Sequence, residues 1–467
     1  MGRILSIILV IIIAHPLCGQ PDSLAKSRFV QIDNIHIVGN TKTKEQIILR
    51  EMSVQKDDYV FFDDLNEQLV VDQQNIYNMR LFNSVEIKTL DMSFDRVAIV
   101  IQVDERWYLF PSPILDLVDR NFNDWWQNNN HDLSRIVYGL KMYQYNVRGR
   151  NETLRLSGQL GYTKNVGISY NMPYIDKSQK TGLVISYNYS ENNNIAFQTV
   201  NHKREFLDKD FPIFSHSRAE IGINRRNSFF DYHNLEFSFN KNFADNSVVE
   251  LNPDFFRGGN TSQKYFSLGY TYKRNKRDVV AYPLKGYYIE ALVKKQGLKI
   301  FNDVDYSILF FSYSNYFDMG KGFYLANHSA LYFNSADKIS YNNYFGLGYG
   351  KYVVRGYELF LIEGDQFLLN KTSIRKRIFS TVNTISKMPL EQFKHFPFQI
   401  YLKGYFDAGY VRNFENYFQN ELYSNKLIYG GGIGLDFVTA YDIVLRSEFS
   451  VNDTGKSGFY LELKKEF

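Results

Sequence analysis

Phe398-Gln399-Ile400-Tyr401-Leu402-Lys403-Gly404-Tyr405-Phe406-Asp407-Ala408-Gly409 changes character at every step. Phe398, Ile400, Leu402, Gly404, Phe406 and Ala408 form one set, and Gln399, Tyr401, Lys403, Tyr405, Asp407 and Gly409 the other. Successive side chains of a strand point to opposite faces, so a period of two describes a strand with one apolar and one polar face. Ile443, Leu445, Ser447, Phe449 and Val451 alternate in the same way with Val444, Arg446, Glu448 and Ser450, and Phe459, Leu461, Leu463 and Phe467 share one face of a final strand. Comparable runs lie at 138–147, 154–162, 183–189, 265–272 and 287–293, separated by Asn, Asp, Gly and Lys clusters that read as turns. A soluble sandwich rarely sustains this texture from 106 to 467. Strands of about ten residues with connectors predict a transmembrane antiparallel β-barrel of roughly 12 to 16 strands, apolar outward and polar to the lumen.

The amino terminus agrees with that setting. Arg3, the apolar run Ile4 to Ile13, and then Pro16, Cys18 and Gly19 read as an export signal over 1–19, too short to span a bilayer as a helix. Cleavage after Gly19 removes Cys18, the only cysteine, and with it any disulfide. No other apolar stretch is long enough for a helical span, yet 17% of residues are aromatic, with 36 Tyr and 39 Phe. An exported chain of this kind crosses a membrane with strands. The net charge of +4 is small and interspersed, which argues against nucleic acid as a partner.

After a linker over 20–28, residues 29–105 read as a small α+β domain. Phe29 to Val38 alternates as a strand, Gly39-Asn40 turns, and Thr43 opens a helical pattern through Ile47, Ile48 and Met52. Leu65, Leu69, Val70, Ile76 and Met79 keep one face of a second helix, with Asp63 or Asp64 expected to cap it. Strands over 82–89 and 96–103 follow. The segments Ile35-His36-Ile37-Val38-Gly39-Asn40, Asn78-Met79-Arg80-Leu81-Phe82-Asn83-Ser84-Val85 and Val100-Ile101-Gln102-Val103-Asp104-Glu105 together resemble the POTRA domain, in one copy. Met-Arg-Leu-Phe stands where that family often has a glycine and a second aromatic.

Within 106–467, Val354-Arg355-Gly356-Tyr357, preceded by Leu347-Gly348-Tyr349-Gly350, resembles the Val-Arg-Gly-Phe/Tyr loop tip of the BamA, TamA and FhaC outer-membrane assembly factor superfamily. About fifty residues on, Tyr405-Phe406-Asp407-Ala408-Gly409-Tyr410-Val411 resembles its Phe-x-Asp-x-Gly strand. The resemblance implies that Arg355 folds into the barrel and donates to Asp407 on the lumen wall. A glutamate that the family often adds within Glu-x-Arg is missing at Ser373-Ile374-Arg375. Arg375 is expected to repel Arg355 if both face the same water-poor space, with Glu363 and Asp365 as substitute partners. Asn146-Val147-Arg148-Gly149-Arg150 leading to Asn171-Met172-Pro173-Tyr174-Ile175 is similar to the family's early hairpins, and Gly430-Gly431-Gly432 through the terminal Phe467 to its closing strands.

No Gly-x-Ser-x-Gly elbow, phosphate-cradling Gly-x-x-x-x-Gly-Lys or metal-spaced Cys/His cluster occurs, so neither an enzyme nor a cofactor is expected. The resemblance implies insertion, assembly or translocation of outer-membrane polypeptides, with the POTRA domain in the periplasm taking up clients by strand addition. The implied partners are membrane lipids, unfolded outer-membrane or secreted clients, and periplasmic chaperones or lipoproteins. The competing readings are a two-partner secretion pore for one passenger and a passive porin or structural barrel. Trp107, Trp125 and Trp126 are expected at the junction of the two domains. The segment from Tyr108 to Asp119 is a candidate first barrel strand, whose Pro111 and Pro113 would weaken a seam with the last strand; the alternative is a spacer outside the barrel, with closure beginning near Ile136.

Overall fold

The computed structural model describes residues 28–117, 125–126, 130–301, 303–384, 395–415, 417–439 and 443–463. The expected export signal, Phe467 and the side chain of Leu463 lie outside the described residues.

The N-terminal domain is a four-stranded sheet in the order Tyr59–Phe61, Phe29–Val38, Arg96–Glu105, Phe82–Ser93, covered by two helices. Phe29–Val38 runs parallel to Arg96–Glu105, and the remaining pairs are antiparallel. Val30 and Ile32 from the first strand pack with Ile47, Ile48, Leu65, Leu69 and Ile76 from the helices and with Val97, Ile99 and Ile101. Gly39 turns with φ +95°, and a Cβ there would lie 1.9 Å from the Val103 carbonyl oxygen. The first helix is only Glu45–Leu49, shorter than the periodicity predicts. The second, Phe62–Asn78, starts earlier than predicted, so Asp63 and Asp64 occupy its first turn and not its cap. There they still face the positive end of the helix dipole.

The rest of the chain is one antiparallel sheet of sixteen strands, from Leu109–Leu117 at one edge to Ser457–Leu463 at the other. Its alternation is the one the sequence shows. Leu402, Phe406, Leu445, Phe449, Phe459 and Leu461 are exposed on the outer side, whereas Lys403, Asp407, Arg446 and Glu448 are buried on the inner one. Among the described residues the two edge strands are not paired with each other.

Connections beginning near 148, 173, 227 and 276 lie at the end of the sheet that meets the N-terminal domain. The far end carries a hairpin, Asn194–Val200 with Lys203–Asp208, a short helix Asn246–Leu251, and the long segment 335–365. This places Trp125 and Trp126 in the far-end connection 118–135, and only Trp107 at the junction. Each finds a role in that loop, since Trp125 donates to the Asp132 carbonyl at 2.8 Å and Trp126 stacks on His131.

Candidate functional site

The segment 335–365 leaves the far rim, runs back inside the sheet and is pinned at Arg355. Two residues make room for it. A Cβ on Gly409 would lie 2.6 Å from Leu347 and 2.7 Å from Val354, and one on Gly430 would lie 2.1 Å from the Arg355 carbonyl oxygen. Val354 and Tyr357 are buried in the resulting cluster with Leu347, Leu369 and Val411. Gly356 adopts φ +97°, a left-handed conformation that side chains rarely take, and its carbonyl accepts from Asn452 at 2.8 Å. The Tyr357 hydroxyl is hydrogen-bonded to Asp453. Phe406, in contrast, faces outward and takes no part in holding the loop.

Arg355 and Asp407 meet as a fork. The Arg355 Nε donates to Oδ2 at 2.7 Å, Nη2 donates to Oδ1 at 2.6 Å, and the Arg355 backbone N–H adds a third bond to Oδ2 at 3.1 Å. Tyr405 places its ring 3.8 Å from the guanidinium carbon, a cation–π contact on the remaining face. Bidentate geometry of this kind fixes orientation as well as distance.

The acid that completes the set is Glu448, which sequence reading passed over. Its Oε1 stands 3.3 Å from Arg355 Nη1 and 2.6 Å from Lys403 Nζ, and Lys403 also reaches Asp436 at 2.7 Å. The signal was present in the strand alternation, which puts Glu448 and Lys403 on the lumen face. What alternation lacks is the register that sets Glu448 opposite Gly434 and Asp436 opposite Tyr401.

The substitutes proposed from sequence do other work. Glu363 takes Tyr417 at 2.8 Å and Thr199 at 3.2 Å, with Tyr349 also bonded, and Asp365 pairs with Arg412. Arg375 does not confront Arg355 either. It is fully buried with its guanidinium over the Tyr282 ring and Nη1 on the Pro283 carbonyl.

The two early hairpins are where the N-terminal domain docks. The Lys44 N–H donates to the Gly149 carbonyl at 3.0 Å, and a Cβ on Gly149 would lie 2.1 Å from the Lys42 carbonyl oxygen. Asn146 donates to Thr43 at 2.8 Å. Arg50 donates to the Tyr174 hydroxyl at 2.8 Å and to the Gln179 carbonyl at 2.6 Å. Glu105 accepts from Thr41, Lys42 and Thr43, and these bonds, set against its partial burial, hold its carboxyl below the usual range.

At the edge, Pro111 lies opposite Met142 and Pro113 opposite Leu140 within a strand paired to Ile136–Val147, so the segment is part of the sheet and not a spacer. The Tyr145 N–H donates to the Tyr108 carbonyl at 2.7 Å, which marks Tyr108 and Tyr145 as a hydrogen-bonded pair. Alternation then turns the even-numbered residues 110, 112, 114 and 116 toward that neighbour. The nitrogens of Pro111 and Pro113 face the opposite way, to the free edge. Phe459 and Leu461 lie on the strand at the other edge, with their side chains outward.

The family model of the Omp85 superfamily domain matches residues 146–467, and that of the surface antigen variable number repeat, the POTRA unit, matches 30–106. Among solved structures the chain is similar to BamA from Haemophilus ducreyi lacking POTRA domains 1–3, at 13% identity and TM-score 0.51 over 93% of this chain and 83% of that one. It is also similar to CdiB from Escherichia coli, at 12% identity and TM-score 0.56 over 92% and 75%. At such identities the likeness is one of fold. No curated protein matches the chain.

Proposed function

The chain belongs to the Omp85 superfamily, and on that premise we propose that it assembles client polypeptides into the outer membrane through the edges of its own sheet. It is an outer-membrane barrel with its POTRA domain in the periplasm, and not an enzyme. The observation that carries the reading is the first barrel strand. Two prolines there remove two backbone donors from the unpaired edge, so a strand seated against it gains fewer hydrogen bonds than any fully paired neighbour would.

The POTRA domain supports the first half of the same path. Phe82–Ser93 is twelve residues long, stands at a sheet edge and pairs on one side with Arg96–Glu105, leaving the other side to an extended segment of a client. Membrane lipids surround the outer face, and periplasmic chaperones or lipoproteins would deliver the clients.

Depletion of the protein followed by quantitative comparison of outer-membrane proteomes tests the reading. A broad fall in β-barrel proteins is expected. Loss of one secreted passenger alone would assign a dedicated secretion pore, and an unchanged proteome would leave a passive barrel.

A further inference from the structure

We propose that the lumen is plugged from both ends, with the periplasmic turn 276–285 as a second plug and Tyr282 as its anchor, coupled through one ion-pair chain to Arg355. The inference rests on the lumen wall and is independent of which client the barrel handles.

Adjacent antiparallel strands need only two to five connecting residues. At the periplasmic rim the strands Tyr306–Gly320 and Phe323–Asn334 are joined by Lys321 and Gly322 alone. The strands Ser262–Asn275 and Gly286–Gln296 are instead joined by ten residues, and the surplus is folded inward. Ala281 and Tyr282 are each 4% exposed, although both belong to a turn at the rim of the barrel. Tyr282 packs with Tyr324, Tyr401 and Val444, its ring 4.9 Å from that of Tyr401. Arg375 covers the Tyr282 ring at 4.8 Å and donates to the Pro283 carbonyl at 3.3 Å. The Tyr282 hydroxyl donates to Asp436 Oδ2 at 2.8 Å.

Asp436 is the foot of the chain already described. From it the contacts rise through Lys403 and Glu448 to Arg355 and Asp407. Buried charges of this kind are stable only while every member keeps its partners, so removing a donor at the foot changes the balance at the top. The outer end of the same turn touches the POTRA domain, where Asn78 donates to the Asp278 carbonyl at 3.2 Å. A movement of the POTRA domain therefore pulls on the turn that carries Tyr282. Arg375, with its guanidinium over Tyr282 and on the Pro283 carbonyl, serves as the clamp for this turn. Tyr282 is a positioning residue, acting on the loop through Asp436, Lys403 and Glu448.

The test uses the full chain with Cys18→Ser in planar bilayers and in intact cells. Tyr282→Ala and deletion of 279–284 should raise the frequency of open-channel events, and Tyr282→Phe, which keeps the ring and loses one hydrogen bond, should raise it by about fivefold at most. A cysteine at Val354, labelled from outside with an impermeant thiol reagent, should react faster in the Tyr282→Ala background than in the parent. Heat-modifiable migration confirms that each variant is a folded barrel, and Tyr282→Phe guards against a folding defect in the larger changes. Unchanged conductance in the folded deletion variant would overturn the plug. Unchanged reactivity at Val354→Cys would overturn the coupling.

Discussion

Arg226 of the barrel and Glu51 of the POTRA domain meet fork to fork, Nη1 to Oε1 and Nη2 to Oε2 at 2.6 Å each, across 175 residues of chain. Glu51 is 1% exposed, and Arg50 Nη1 adds a contact to the same Oε1 at 2.9 Å. Charge-assisted bidentate contacts set angle as well as distance. Together with the Gly149 and Tyr174 turns they hold a single POTRA domain in one orientation under the rim.

Replacing Arg226 by Ala should free that orientation without unfolding the barrel. Arg50 still partners Glu51, so the loss is that of hydrogen bonds to one charged group, about 2 kcal/mol. Distances between spin labels on Phe94 and on the barrel turn at Lys177 should change from one narrow distribution to a broad one. A distribution that stays narrow would assign the orientation to the other contacts.

Arg355→Ala should impair function far more than expression, since it leaves buried Asp407 without its forked partner, at a cost of about 3 kcal/mol, while Glu448 keeps Lys403. The charge swap Arg355→Asp with Asp407→Arg should fail to restore function, because Glu448 would then stand beside a second carboxylate at position 355. Complementation by the single and combined variants measures this. If both single swaps complement as the parent does, the loop is not held by this pair.

His202 ties three extracellular segments together and should make them acid-sensitive. Its Nδ1–H donates to the Leu361 carbonyl at 3.0 Å, its Nε2 accepts from the Tyr423 N–H at 3.0 Å, and its own N–H donates to Asn420. Only the neutral ring satisfies both nitrogen contacts. Burial, aided by Lys426, pushes its pKa down from 6.5 to about 4. The folded value lies below the unfolded one, so the contribution is full above pH 6.5 and is lost as pH falls from 6.5 toward 4. The whole shift is worth about 3 kcal/mol. The protection factor against hydrogen exchange in 194–208, taken relative to the intrinsic rate at each pH, should fall between pH 7 and pH 4.5, and His202→Gln should flatten that dependence. Equal protection at the two pH values would remove His202 as the tie.

Much of this molecule is legible in its alternation, because a strand with lipid on one side and lumen on the other repeats every two residues. That rule places Lys403, Asp407 and Glu448 on one wall without any structure. It leaves open which of them meet, since the contacts depend on register between strands far apart in sequence. Arg375 shows the difference. Its inward position follows from the pattern, yet its partner Tyr282 lies in a turn whose inward fold carries no periodic signal. Trp125 and Trp126 fail for a related reason: nearness in sequence to Trp107 suggested one site, and a barrel strand between them carries them to the opposite end.

The seam offers the sharpest test of the proposed function. Pro111 and Pro113 point their nitrogens to the free edge, so replacing both by Ala supplies two N–H donors to whatever strand is seated there. Two net hydrogen bonds are worth about 2 kcal/mol, or about thirtyfold in the ratio of closed to open seam. If Ser457–Leu463 closes against this edge, the double variant should raise the yield of disulfides between cysteines placed at 110–116 and 459–465. Client assembly should fall in parallel, because a client strand must displace a better-paired neighbour. Proline in a strand also limits its own conformations, so Pro113→Ala alone, adding one donor, should lie between the parent and the double variant. Absence of every crosslink in a folded barrel would remove the segment from the seam. Efficient crosslinking with client assembly intact would show that the seam closes and that clients leave by another route.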